Sequence, residues 1–194
     1  MHQYSGEDPR RTAALGTLAV LAVLFAIFIN WLASQQSTIP SWLWSAPAVA
    51  SSFGLLLLAL EEWAWRWPVV QRLGLVRTPV IRGKYEGLLT SAFGTRPVSL
   101  HVDQTWSRIA IRFQVFDPES STSYSMTAGL AITGEDQARL TYTYRNQTRP
   151  GIADLDMNDH DGTAELEFHS DGQVTGRYYN FRGRQGTLTL ASCD

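Results

Sequence analysis

Hydrophobic and polar positions divide the chain into two regimes. From Ala13 to Ser34, and again from Trp42 to Leu60, apolar residues run almost unbroken and without a charge. About twenty such residues make a helix roughly 30 Å long, the thickness of a bilayer's hydrocarbon core. The turn between them is uncharged as well, while Arg10 and Arg11 precede the pair and Arg66, Arg72 and Arg77 follow it. Arginines outside an uncharged hairpin place both flanks in the cytoplasm by the positive-inside rule. From Pro79 the period drops to two. Ile109, Ile111, Phe113 and Val115 alternate with other residues, as do Ala164, Leu166 and Phe168, the mark of strands with one buried face. Eight strands are predicted: Val80–Thr90, Val98–Val102, Trp106–Phe116, Thr122–Thr133, Ala138–Arg145, Thr163–His169, Val174–Phe181 and Gly186–Ala191. Turn signals separate most of them, including Phe93-Gly94-Thr95, Asp117-Pro118, Gly134-Glu135-Asp136 and Ser170-Asp171-Gly172. The expected fold is therefore a two-helix transmembrane hairpin followed by a small eight-stranded antiparallel β-barrel, with a two-sheet sandwich as the alternative. A barrel of this size is filled by side chains or holds one small ligand. Gly83, Gly87, Gly129 and Gly176, inside strands, are expected at bends or bulges.

The pattern sets four segments: a cytoplasmic tail over residues 1–12, the hairpin over 13–67, a linker over 68–78 and the barrel domain over 79–194. Met1 to Pro9 are polar and are expected to lack structure. The apolar run beginning at Ala13 exceeds an ordinary signal core and no cleavage site follows, so it reads as an uncleaved membrane helix. Ala14, Leu18, Ala22, Ala26 and Asn30 share one face of it, and Ala46, Ala50 and Gly54 share a face of the second. Small residues let helices approach closely, either within the hairpin or between protomers. Trp63, Trp65 and Trp67 form an aromatic belt at the inner headgroup level, where the acids Glu61 and Glu62 are expected in solvent or, for Glu62, paired with Arg66. The one long connection, Asn146 to Gly162, is of a length that often carries function.

Charge and motifs narrow the chemistry. The formal net charge is −2, which gives no electrostatic basis for binding DNA or RNA. Cys193 is the single cysteine, so intramolecular disulfides are excluded. Asp154, Asp156, Asn158 and Glu165 fall at calcium-loop spacing, but Asp159 stands where such a loop needs glycine. His2, His101, His160 and His169 form no metal-binding pair. No nucleophile elbow, zincin or phosphate-binding loop is present, so neither an enzyme nor a cofactor is expected. What remains is a concentration of aromatic, amide and arginine side chains: Tyr142, Tyr144, Arg145 and Asn146, then Tyr178, Tyr179, Asn180, Phe181, Arg182 and Arg184. Bases stack on aromatic faces and arginine forks grip phosphate, while strand tyrosines and solvated turn arginines are also ordinary structural residues.

With its two-helix hairpin, the chain carries R-G-K-Y-E-G from Arg82, L-T-Y-T-Y-R-N from Leu140, H-D-G-T-A-E-L from His160 and G-R-Y-Y-N-F-R-G-R-Q-G-T-L-T-L from Gly176. In this order they resemble the two-transmembrane, β-strand-rich effectors of CBASS, the bacterial cyclic-oligonucleotide-based antiphage signalling systems. The resemblance implies an inner-membrane protein paired with a nucleotidyltransferase. Its barrel would bind a cyclic dinucleotide, its protomers would assemble, and its helices would disrupt the bilayer and kill the infected cell. Carried over by motif, the ligand contacts are Tyr85, Tyr144, Asn146, His160, Tyr178, Asn180, Arg182 and Arg184. Tyr178 and Tyr179 point to opposite faces of a strand, so at most one of them faces the interior. Two other classes stay open: a membrane-anchored, lipocalin-like barrel for an apolar small molecule, which needs an apolar lumen with few arginines, and a solidly packed structural module that docks a partner.

Overall fold

The computed structural model of the protein describes residues 1–6, 11–34, 42–116, 121–133, 137–148 and 159–193. It comprises two compact units, Asp8–Thr78, and Pro79–Asp194 together with Met1–Glu7.

The first unit is helical. Helices α1 (Arg11–Ser34) and α2 (Trp42–Glu62) are followed by a 3-10 turn (Ala64–Arg66) and the short α3 (Pro68–Arg72). Pro68 opens α3, where its missing N–H has no intrahelical partner to lose. Among the described residues, one helix is long and apolar enough to cross a membrane by length and composition, α1 over residues 11–32, with a mean hydropathy of 2.5. Helices α1 and α2 pack on each other. Ala14, Leu18, Ala22 and Ala26 form the buried row of α1, and Ser52 and Leu60 are buried on α2. The small face of α1 is therefore used inside the hairpin. That of α2 is different: Ala50 is exposed, and a Cβ added at Gly54 would meet nothing within 4 Å. The side chain of Ala46 lies outside the described residues. The aromatic belt also divides, since Trp65 is fully buried while Trp63 and Trp67 are exposed. Arg66 donates to the backbone carbonyl of Glu62 at 3.1 Å, a local bond that leaves the expected contact with the carboxylate unmade.

The second unit is a closed barrel of eight antiparallel strands: β3 (Gly83–Ser91), β4 (Gly94–Gln104), β5 (Arg108–Val115), β6 (Ser121–Ile132), β7 (Ala138–Thr148), β8 (His160–Phe168), β9 (Gln173–Asn180) and β10 (Gln185–Ser192). Each pairs with its sequence neighbour, β10 also pairs with β3, and β5–β6 pairing completes the ring. Several strands run beyond their apolar residues, because backbone pairing continues where side-chain alternation stops. Thus β7 and β8 extend to Thr148 and from His160 and shorten the predicted long connection at both ends. Trp106 sits instead in the β4–β5 turn with its ring buried. Pairing runs unbroken through Gly83, Gly87, Gly129 and Gly176, and the β6–β7 register shift falls between Ser125 and Thr127. Asp154, Asp156 and Asn158 lie outside the described residues; Glu165 is in β8 and accepts a hydrogen bond from Arg177 at 2.9 Å.

The interior of the barrel is graded. One inward row reads Leu140, Tyr142, Tyr144, Asn146 along β7, and its neighbour reads Phe168, Leu166, Ala164, Gly162, His160 along β8. Strand β9 offers Val174, Gly176, Tyr178 and Asn180. One end is a packed apolar floor that includes Leu140, Leu166, Val174, Leu190, Val102 and Ile109, all with almost no exposure. Burial of each such side chain stabilises the fold by about 1.5–3 kcal/mol. The opposite end is polar. At the floor, the buried Gln104 amide accepts from the Ile81 N–H at 2.9 Å and donates to the Pro79 carbonyl at 3.0 Å, fixing where the chain enters the barrel.

The expectation of a structureless N-terminus does not hold for its first six residues. Strand β1 (His2–Gln3) pairs antiparallel with β5, and β2 (Ser5–Gly6) pairs parallel with β6. Between them Tyr4 is only 6% exposed, and its hydroxyl donates to the Trp106 carbonyl at 2.8 Å. A short polar run shows no alternation, so its pairing depends on an opening between two distant strands. Residues 7–9 of the predicted tail lie outside the described residues.

Candidate functional site

The polar end of the barrel encloses a cavity of about 290 Å³. Its depth comes from small residues where the floor has large ones: Ala164, Ser121 and Ser123 line it with Leu89, Phe113, Val115, Tyr142 and Leu188. Glycines make room for its two outer tyrosines. A Cβ at Gly162 would collide with the Tyr144 hydroxyl and ring, and one at Gly186 would come within 2.7 Å of the Tyr178 ring. These glycines lie on β8 and β10, in register with Tyr144 and Tyr178 respectively. Each tyrosine thus lies over a neighbouring strand's bare backbone.

Two hairpins shape the mouth. In the β9–β10 turn, Asn180 Oδ1 accepts the N–H groups of Arg182 at 3.1 Å and Arg184 at 3.0 Å, and Gly183 adopts φ +73°. That geometry holds both arginines at the rim. The β3–β4 hairpin faces it with Ser91, Phe93 and Arg96. Arg184 lies over the Phe93 ring at 4.8 Å from the centroid, a cation–π contact that ties the hairpins together. On the opposite side, Asn146 donates to Ser121 Oγ at 3.2 Å, while its buried Oδ1 has no hydrogen-bond partner among the described residues. A buried acceptor left unpaired is unfavourable, and this one belongs to a side chain that lines the cavity. His160, in register with Asn146 across β7–β8, lines the same wall.

Seven of the eight residues implied by motif therefore meet at one cavity: Tyr144, Asn146, His160, Tyr178, Asn180, Arg182 and Arg184. Tyr85 does not. It is buried elsewhere in the core, donating to the Ile81 carbonyl at 3.0 Å and packing edge-on to Phe168 with centroids 5.3 Å apart. As expected of adjacent strand residues, Tyr178 faces inward and Tyr179 is exposed. Sequence reading missed Arg96, Phe93, Ser91, Ser121 and Ser123 in the lining, and it named Tyr142 in the aromatic cluster but not among the motif-implied contacts. Period-two counting puts Tyr142 on the same face as Tyr144 and Asn146, so that signal was available. Nothing local marks Arg96, which reaches the site only through the β3–β4 hairpin. Other arginines are engaged outside: Arg139 with Glu167, Arg145 with Asp161 and Arg177 with Glu165 are cross-strand pairs at 2.7–2.9 Å. The hydrogen bond from Arg145 holds the Asp161 carboxyl below its usual range.

A family model for the Cap15, cyclic dinucleotide receptor domain matches residues 76–191. The chain belongs to this family. The resemblance to CBASS effectors read from the motifs agrees with it, and the barrel is a cyclic dinucleotide receptor domain. No curated protein sequence matches the chain. Among the described residues of the receptor domain, no cluster of His, Cys, Asp or Glu could hold a metal ion.

The electrostatics of the receptor cavity follow from burial. Desolvation is the main cause that raises the pKa of Tyr142, with Tyr144 adding to it, and likewise of Tyr144, with Tyr178 adding to it. Tyr178 is also raised by burial, against the opposing effects of a Ser91 hydrogen bond and the Arg184 and Arg96 charges. All three phenols are thus neutral hydrogen-bonding groups at physiological pH, and the arginines carry the charge. Because the folded values exceed the ordinary tyrosine value of 10.0, the folded barrel holds protons that the unfolded chain releases above that pH. The associated stability is present in full below pH 10.0 and is lost as pH rises through the folded-state values. Alkaline titration should show tyrosinate absorbance from the exposed tyrosines first, with these three ionising only as the barrel unfolds. Ionisation of every tyrosine in one step near the ordinary value would contradict this.

Proposed function

We propose that this protein is a CBASS membrane effector whose barrel takes a cyclic dinucleotide through the polar mouth and whose helices, brought together by assembly, breach the inner membrane. The observation that carries the reading is the cavity. Arg96, Arg182 and Arg184 converge on its mouth, and an unpaired Asn146 acceptor lies within it. A base has a face to stack on Tyr144 or Tyr178 and an N–H for Asn146 Oδ1, and bridging phosphates suit the arginines. The cavity is smaller than a whole cyclic dinucleotide, so the ligand would fill the mouth as well, where Phe93 and Phe181 stand exposed. A lipocalin-like role fits less well, because three arginines and two asparagines are poor company for an apolar ligand. A solidly packed docking module does not account for the cavity.

In this reading both flanks of the hairpin are cytoplasmic. One observation supports it beyond the flanking arginines: Met1–Gly6 pair with the same barrel that Pro79 enters. A reporter fused after Asp194 is expected to be active in the cytoplasm; periplasmic activity would overturn this arrangement. A neighbouring nucleotidyltransferase supplies the ligand.

The binding assignment predicts that Arg184→Ala weakens cyclic dinucleotide binding by about 1.5–3 kcal/mol, the range for a hydrogen bond to a charged group. Tyr85→Phe should leave affinity unchanged, since that hydroxyl serves Ile81. Calorimetric titration of both variants tests this, and equal affinities for Arg184→Ala and wild type would remove the phosphate role.

Assembly draws on α2. Its Ala50 is exposed and a Cβ at its Gly54 would meet nothing within 4 Å, and small residues allow close helix approach in lipid. Gly54→Leu should therefore bind ligand normally and fail to release dye from liposomes. Wild-type leakage from Gly54→Leu would assign assembly to another surface.

A further inference from the structure

The seam that closes the barrel, between β5 and β6, is only half closed. Arg112–Val115 pair with Ser121–Tyr124, and these pairs wall the cavity through Phe113, Val115, Ser121 and Ser123. Below them the strands part at the register shift after Ser125. Here the Ile111 N–H donates to Ser125 Oγ at 3.0 Å. The opening is filled by the N-terminal segment. His2 and Gln3 pair with Ile109 and Arg108 of β5, and Ser5 and Gly6 pair with Gly129 and Leu130 of β6. His2 Nε2 lies 2.8 Å from the same Ser125 hydroxyl, and its Nδ1 lies 3.1 Å from the Gln3 carbonyl. The neutral tautomer with the proton on Nδ1 satisfies both, the serine hydroxyl donating to Nε2.

We propose that Met1–Gly6 form a releasable latch, docked in the split seam when the cavity is free and expelled when a bound ligand draws β5 and β6 together. Continued in the same register, the seam would set Ile109 and Arg108 of β5 against Thr127 and Ala128 of β6, so the β5 edge that holds His2 and Gln3 is one the closed seam would need. Docking and further zipping of the seam are therefore mutually exclusive, which makes the seam a two-state element. The docked state is held by two short pairings and the buried Tyr4 ring, against the entropy of ordering six residues, so its balance is small. A ligand shifts that balance by binding one state better, and the zipped half of the seam is a wall of its cavity. Residues 7–10 of the sequence join the latch to α1. The inference rests on the proposed reading of the cavity as the cyclic dinucleotide site.

The test uses the full chain in liposomes, in a Cys193→Ser background, with two separate pairs: Gln3→Cys with Arg108→Cys, and Ser5→Cys with Gly129→Cys. The first pair replaces exposed residues that face each other across the antiparallel β1–β5 pairing. In the second, a Cβ at Gly129 would lie 3.2 Å from Ser5 Oγ, close enough for a disulfide. The probes are cyclic di-AMP, cyclic di-GMP and cyclic UMP–AMP. Oxidised protein is expected to bind the active probe and release dye roughly tenfold more slowly than reduced protein, as expected of a blocked state change, with reductant restoring release. The same probe, added before oxidation, should slow disulfide formation in both pairs. If the protein binds a probe but leaks equally when oxidised, or cross-links at the same rate with and without it, the segment is a fixed stave and the latch is wrong. If the reduced protein binds none of the probes, the receptor assignment of the cavity fails and the latch loses its trigger.

Discussion

A closed eight-stranded barrel leaves room inside for one inward row of side chains per strand, and ordinary apolar residues fill it completely. Everything specific about this receptor domain depends on how that limit is met. At the floor it is met with leucine, isoleucine and valine. At the mouth the rows change to glycine, alanine and serine, and the space so released is taken by tyrosine rings lying over bare backbone. Tyr144 over Gly162 and Tyr178 over Gly186 are the clearest cases. The cavity is thus a consequence of side-chain volume, not of a gap between domains.

The same gradient separates the roles of charge. Cross-strand pairs on the outer face, such as Arg145 with Asp161 and Arg177 with Glu165, are solvated, and screening leaves such pairs little influence on stability. Arg96, Arg182 and Arg184 differ by position: turns at one end of the barrel bring them to a rim whose phenols burial keeps neutral. A polyanionic ligand would meet cations at the entrance and uncharged donors and acceptors deeper in.

The barrel and most of its site were legible because period-two alternation reports which residues share a face. Tyr144 and Asn146, and Tyr178 and Asn180, follow directly from it. Tyr85 obeys the same alternation yet falls outside the cavity, because alternation says which face a residue occupies and not how far along the barrel axis it lies. Depth depends on strand stagger, which emerges only from the paired ring. Arg96 was missed for a related reason, since its place opposite Arg184 is set by closure of β10 on β3.

By itself the sequence determined the helical pair, the eight strands, the lack of a catalytic motif and the family motifs, because each is written in local spacing and composition. Tertiary structure alone decided three further matters. It placed the small face of α1 inside the hairpin and left that of α2 open, since two equivalent stripes cannot be ranked before the helices pack. It created an unpaired acceptor at Asn146, because hydrogen-bond satisfaction is a property of neighbours. It also ordered Met1–Gly6, a polar segment with no structural signal of its own, because β5 and β6 part below the cavity and their edge groups need partners.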